Sequence, residues 1–94
     1  MNHNTVLRAA INRYGKDSQI DKAIEEMSEL TKALMKDRYK GVWRNGKQEA
    51  AGVAGEIADV EILMNQLKFI FDCEDEVEKI KGQKIERLNK ELIT

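Results

Sequence analysis

The feature that most constrains the fold of this chain is the spacing of its apolar residues, which recur at three- and four-residue steps. Because an α-helix turns by about 100° per residue, positions three or four apart share one face. The longest such series runs from about Gln48 to Phe71 and is apolar over much of its girth, as in a central helix. Proline is absent, no alternating strand pattern occurs, and good helix formers dominate. The sequence therefore predicts an all-α fold.

Turn and cap residues divide the apolar pattern into four helices joined by short links, which is typical of a four-helix bundle-like domain. We place the N-cap of the first helix at Thr5 and that of the second at Asp17 or Ser18. The whole chain, 1–94, is expected to form one domain. Because a chain this short buries only about 60–65% of its unfolded surface, we expect oligomerisation to complete the core.

Composition argues against several classes of protein. The 16 basic and 17 acidic residues nearly balance, so no basic excess favours nucleic-acid binding. The single cysteine, Cys73, excludes an internal disulfide framework and a cysteine-rich zinc site, and a free thiol fits the cytoplasm. The N-terminus lacks the pattern of a signal peptide, and no apolar run approaches the roughly 20 residues of a membrane span. We expect a cytoplasmic protein without a membrane partner.

Carboxylates interrupt the apolar pattern at two places. Glu26 and Glu29 share a face of the second helix, with Glu25 four residues before Glu29, and Glu56 and Asp59 share a face of the third. Like charges at this spacing weaken a helix by a few tenths of a kcal/mol. Acids set among apolar residues need compensation, and a hard divalent cation is a suitable partner.

Three interpretations of these acids compete. The first is a solvated helix face, which most charged helix surfaces are. The second is a di-iron carboxylate bundle, but that site needs Glu-x-x-His on two helices, and the only histidine is His3 in the N-terminal tail. The third is an all-oxygen site for Mg²⁺, or Mn²⁺, that presents a polyphosphate for hydrolysis.

A polyphosphate also needs cations from the protein. Lys81, Lys84 and Arg87 follow one another at three-residue steps on the last helix and are candidates for contact with phosphates. For each of them alone, ordinary solubilising surface charge is an equally simple explanation.

The central loop contains an aromatic residue, Trp43, between Gly41 and Gly46. Such a side chain either stacks on a nucleobase or folds back over a helix pair. Tyr39 and Arg44 are the neighbouring candidates for contact with a base.

The combination of Glu26-x-x-Glu29, a limited spacer and Glu56-x-x-Asp59 resembles the MazG-like all-α nucleoside triphosphate pyrophosphohydrolases. Lys84-x-x-Arg87 is similar to the basic element of that family. The resemblance implies Mg²⁺-dependent hydrolysis of an NTP or dNTP to the monophosphate and pyrophosphate, in a nucleotide-pool house-cleaning role. It also implies a homo-oligomer, a dimer or tetramer, whose paired bundles complete the active site.

The resemblance also assigns roles to residues. Metal ligands would be Glu26, Glu29, Glu56 and Asp59, and Glu25 would be an additional acid of the catalytic site. Lys84 and Arg87 would contact the substrate phosphates, with Lys79 and Lys81 as alternative registers. The alternative from another class is a non-catalytic helical interaction or oligomerisation module that keeps the bundle without the chemistry.

Overall fold

A computed structural model describes the backbone of residues 1–40 and 47–94, and the side chains of residues 1–36 and 52–94. The described chain is all-α, which confirms the predicted fold class. The four helices are α1 (His3–Tyr14), α2 (Lys16–Lys40), α3 (Lys47–Ile70) and α4 (Glu74–Leu92). In the described residues, no helix is both long and apolar enough to cross a membrane.

The start of α1 lies earlier than the sequence predicted. Asn2 is the N-cap, and its Oδ1 accepts hydrogen bonds from the backbone N–H and the hydroxyl of Thr5, both at 2.8 Å. Thr5 as N-cap is therefore wrong: it is the third residue of the helix, the position whose N–H an N-cap side chain satisfies.

A single glycine separates α1 from α2. Gly15 has φ 93° and ψ 152°, a backbone conformation essentially restricted to glycine. Its N–H donates to the carbonyl of Ile11 at 2.8 Å, and its own carbonyl accepts from Gln19 N–H at 3.2 Å. Because α2 begins at once after this residue, the predicted N-cap at Asp17 or Ser18 is wrong, and Asp17 lies in the first helical turn.

The core is a seam between α2 and α3, with α1 packed against both. Ala23, Leu63 and Ile11 are the buried apolar residues of the described chain, only 1%, 5% and 8% exposed. Two buried amides, Gln19 and Gln66, accompany them. The Gln66 Nε2 group donates to the carbonyl of Leu7 at 3.3 Å, which ties α3 to α1. In the described chain, this core holds the helices together with only a few buried side chains.

The fourth helix leaves this core. At the end of α3, Asp72 adopts a left-handed conformation (φ 49°). The N–H groups of Asp72 and Cys73 donate to the carbonyls of Phe69 and Lys68, at 3.3 and 3.1 Å. These two bonds form a Schellman motif, which ends a helix and turns the chain. Beyond it, within the described chain, the backbone of α4 comes close to that of α3 alone, and every residue from 78 to 94 is exposed.

The result is an extended molecule. Its accessible surface is 7588 Å², whereas a compact monomer of 10.8 kDa would expose about 5500 Å². Its radius of gyration is 16.4 Å, against about 12 Å for a compact domain of this length.

Candidate metal centre

Three of the predicted carboxylates meet at the seam between α2 and α3. One oxygen each from Glu26, Glu56 and Asp59 lies within 4.8 Å of the other two. Among the described residues, this is the group of acids whose spacing could hold a metal ion.

The packing of the two helices explains why these residues meet. Ala23 is the buried apolar residue of α2 and Leu63 that of α3 among the described side chains, and these two helices form the core, so the two residues indicate the facing sides of α2 and α3. Glu26 lies three residues after Ala23, and Asp59 lies four residues before Leu63, so both acids continue the same faces by one turn. The proximity of their oxygens shows that these two turns lie opposite each other, and Glu56, three residues before Asp59, lies on the same face of α3.

The three carboxylates are unequally exposed. Asp59 is exposed, whereas the Glu26 side chain retains only 15% of its accessible surface. The Oε2 atom of Glu56 is buried and has no hydrogen-bond partner among the described residues. A buried carboxylate oxygen without a partner is costly, because it has lost its hydration and gained no bond in return.

The electrostatics of the group are unfavourable without a cation. Burial is the main cause that raises the pKa of Glu26 above its ordinary value, followed by the negative charge of Asp59 and, more weakly, of Glu56 and Glu25. Lys22 opposes them, with its Nζ 3.8 Å from Glu26 Oε1. One exposed lysine does not balance three carboxylates, so the group favours the uptake of a proton or a cation.

Lys22 is the residue of this site that the sequence analysis did not single out. The available signal was its position four residues before Glu26, on the same face of α2.

The structure does not bring the other two predicted acids into this group. Glu29 pairs instead with Lys32 of its own helix, at 3.4 Å, and 46% of its side chain is exposed. Glu25 is exposed beside the group and acts on it through its charge.

The predicted basic residues also lie apart from the acids. Lys81, Lys84 and Arg87 are exposed on α4, beyond the part of that helix that approaches α3. Lys81 pairs with Glu78 of the same helix, at 3.5 Å. Among the described residues, neither Lys84 nor Arg87 forms an ion pair. The candidate residues for base contact, Trp43 and Arg44, lie outside the described residues, as does the side chain of Tyr39.

The arrangement offers an all-oxygen ligand set in a partly buried seam that opens to solvent at Asp59. Hard cations such as Mg²⁺ prefer such ligands, whereas softer metals require imidazole or thiolate. Comparison of the chain with protein-family models, with curated proteins and with solved structures finds no match.

Proposed function

We propose that this protein is a Mg²⁺-dependent nucleoside triphosphate pyrophosphohydrolase that acts as a homo-oligomer in nucleotide-pool house-cleaning. The observation that carries the proposal is the convergence of Glu26, Glu56 and Asp59 on one point of the α2–α3 seam. The sequence motifs that resemble the MazG-like enzymes contain all three residues.

The residues present fit a hard divalent cation. The orphaned Oε2 atom of Glu56 and the raised pKa of Glu26 both indicate a site that lacks a positive partner. Glu26, Glu56 and Asp59 would hold the ion, with Glu29 one turn farther along α2. When bound, Mg²⁺ bridges to substrate phosphates and offsets the charge that develops on them.

The protein's own groups supply the remaining chemistry. In the proposed reaction, water attacks either the α-phosphorus or the β-phosphorus of the triphosphate. The bond between the attacked phosphorus and the oxygen that bridges the two then breaks, which releases nucleoside monophosphate and pyrophosphate. The attacking water must lose a proton, and a carboxylate that the metal does not fully occupy would accept it. Glu25, exposed beside the metal ligands, can orient the water.

The homo-oligomer is supported by the surface that one chain leaves exposed. Its excess over a compact monomer is about 2000 Å², and obligate dimers bury roughly 2000–5000 Å² in total over both partners. On α2, a stripe of four apolar residues beside the seam is 39–55% exposed. Its members are Ile24, Met27, Leu34 and Met35. The apolar residues of α4 after Val77 are also exposed, so a second copy has ample surface to cover.

Oligomerisation would also bring the basic residues of α4 to the acidic group at the α2–α3 seam. Within one chain, Lys84 and Arg87 do not join the acidic group, because α4 leaves the core. In the proposed assembly, the basic residues of one copy's α4 complete the acidic seam of another.

Hydrolysis is tested by incubation of the pure protein with each NTP and dNTP in the presence of Mg²⁺. We expect equal amounts of nucleoside monophosphate and pyrophosphate, separated by ion-exchange chromatography, and no product after addition of EDTA. Release of inorganic phosphate with a nucleoside diphosphate would contradict the proposed bond cleavage. No turnover of any nucleotide by the folded protein would favour the non-catalytic interaction module.

The assembly is tested by light scattering during size-exclusion chromatography. We expect a mass of at least about 22 kDa, twice the 10.8 kDa of one chain. Replacement of Leu34 and Met35 by Glu should lower the mass to that of the monomer, whereas replacement of the exposed Lys36 by Glu is the matched control. A wild-type monomer at tens of micromolar would contradict the proposed oligomer.

A further inference from the structure

The attachment of α4 to the rest of the molecule is unusually slight. Only Cys73, Glu74 and Val77 at its start are partly buried, and the helix then continues to Leu92 with every residue exposed. Because α4 rises about 1.5 Å per residue, Arg87 lies about 20 Å beyond Glu74, and a rotation of about 10° at the start would move it by about 3 Å. Residues that bind a ligand productively must be held to within about 0.5 Å. Contacts besides the turn at Asp72 are therefore needed to hold α4 in one direction.

Two side-chain contacts brace the start of α4. One comes from the preceding helix: Lys68 Nζ lies 3.7 Å from Glu78 Oε1. The other comes from α1, where Arg8 Nη2 lies 3.5 Å from Glu74 Oε1. In addition, the guanidinium carbon of Arg8 lies 4.1 Å from the ring centroid of Phe69 in α3.

The two ion pairs restrain α4 against different helices. Lys68 and Glu78 link α4 to the helix from which it already emerges, so together with the turn they leave α4 tied to one element. Arg8 belongs to α1, whose backbone does not come close to that of α4 in the described residues. Its planar guanidinium stacks on one helix while its N–H groups face a carboxylate on another, a combination that a lysine cannot reproduce.

We propose that Arg8 is a positioning residue that fixes the direction in which α4 leaves the core, and with it the location of Lys84 and Arg87. The inference has a purely conformational part and a functional part, and only the latter rests on the proposed hydrolysis.

The conformational part is tested by electron paramagnetic resonance distances between spin labels at Asp21→Cys on α2 and Asn89→Cys on α4, with Cys73→Ala. The labelled protein is diluted with excess unlabelled protein, so that only distances within one chain are read. We expect one narrow distribution in the parent. Arg8→Gln and Glu74→Gln should each broaden it at least about twofold, and Arg8→Lys should broaden it by an intermediate amount.

Arg13→Gln is the matched control, because Arg13 is an exposed arginine of the same helix that lies over Tyr14, 5.8 Å from its ring centroid. It should leave the distribution unchanged. Since Arg8 and Glu74 are 58% and 44% exposed, their ion pair adds little to global stability, and the variants should stay folded by circular dichroism. An unchanged distribution in both Arg8→Gln and Glu74→Gln would overturn the proposal, whatever the protein hydrolyses.

For the functional part, Arg8→Gln should raise KM for the nucleotide several-fold while kcat changes less, because the metal ligands stay in place. A lower kcat with unchanged KM would contradict the assignment of Arg8 to phosphate positioning. Absence of hydrolysis in the parent would remove only this part, because the distance measurement needs no substrate.

Discussion

Glu26 and Asp59 face each other across the α2–α3 seam with carboxylate oxygens within 4.8 Å, and Asp59 is the charged neighbour that most raises the pKa of Glu26. Two like charges at this distance oppose folding, so the pair lowers the stability of the metal-free protein. The proposed metal site therefore has measurable consequences for the stability of the protein.

The first consequence concerns pH. Because the pKa of Glu26 is higher in the folded than in the unfolded chain, its contribution to stability is fully present below the unfolded pKa and is lost as pH rises through the folded pKa. Glu26→Gln should therefore raise the melting temperature of the metal-free protein at pH 7. It should also weaken the decline in stability with rising pH above the pKa that Glu26 has in the unfolded chain. The measurement is thermal unfolding in EDTA at several pH values. Glu61→Gln, an exposed acid of α3 outside the group, is the control and should leave the decline in place.

The second consequence concerns metal. A ligand that binds only the folded state stabilises it by about 1.4 kcal/mol at ten times its dissociation constant. Mg²⁺ and Mn²⁺ should therefore raise the melting temperature, and EDTA should reverse the rise. In Glu56→Gln the rise should disappear, because the buried oxygen that most needs a cation loses its charge. An equal rise in Glu56→Gln and the parent would show that the ion binds elsewhere.

The third consequence concerns activity. Asp59→Asn preserves the size of the side chain but removes one of three converging charges, and it should lower kcat/KM for the preferred nucleotide by at least about 100-fold, equivalent to about 2.7 kcal/mol. Steady-state release of pyrophosphate measures this loss. Asp21→Asn provides the comparison, since Asp21 is an exposed aspartate on α2 outside the group. Full activity in Asp59→Asn would separate the hydrolysis from this site.

A fourth prediction compares two glycines under the same substitution. Gly15→Ala should destabilise the protein by about 1–3 kcal/mol, because an L-residue is strained at φ 93°. Gly82→Ala lies in the open interior of α4 with no atom near the added methyl group, and it should increase helix stability by about 0.5–1 kcal/mol. Urea unfolding followed by circular dichroism measures both. Equal effects of the two substitutions would contradict the assigned backbone of Gly15.

Helix boundaries illustrate what short-range patterns can and cannot predict. The two ends of α3 followed from apolar spacing to within one residue of Lys47 and Ile70. The starts of α1 and α2 did not, because both Asn2 and Thr5 are good N-cap residues and only the hydrogen bonds to Asn2 distinguish them. The start of α2 depended on the unusual backbone of Gly15, which the sequence does not reveal.

The candidate site, like the helix boundaries, could be predicted from the sequence only in part. The sequence by itself determined the helical class and the pairing of acids within each helix, because both depend on a period of 3.6 residues. Only the tertiary structure decided which acids meet: the register of α2 against α3 brings Glu26 to Glu56 and Asp59 but leaves Glu29 beside Lys32. It also decided that α4 carries Lys84 and Arg87 away from the acids, because that direction depends on one left-handed residue, Asp72, and on contacts between helices. Local periodicity fixes which residues share a face, whereas the relative placement of faces requires the packing of whole helices.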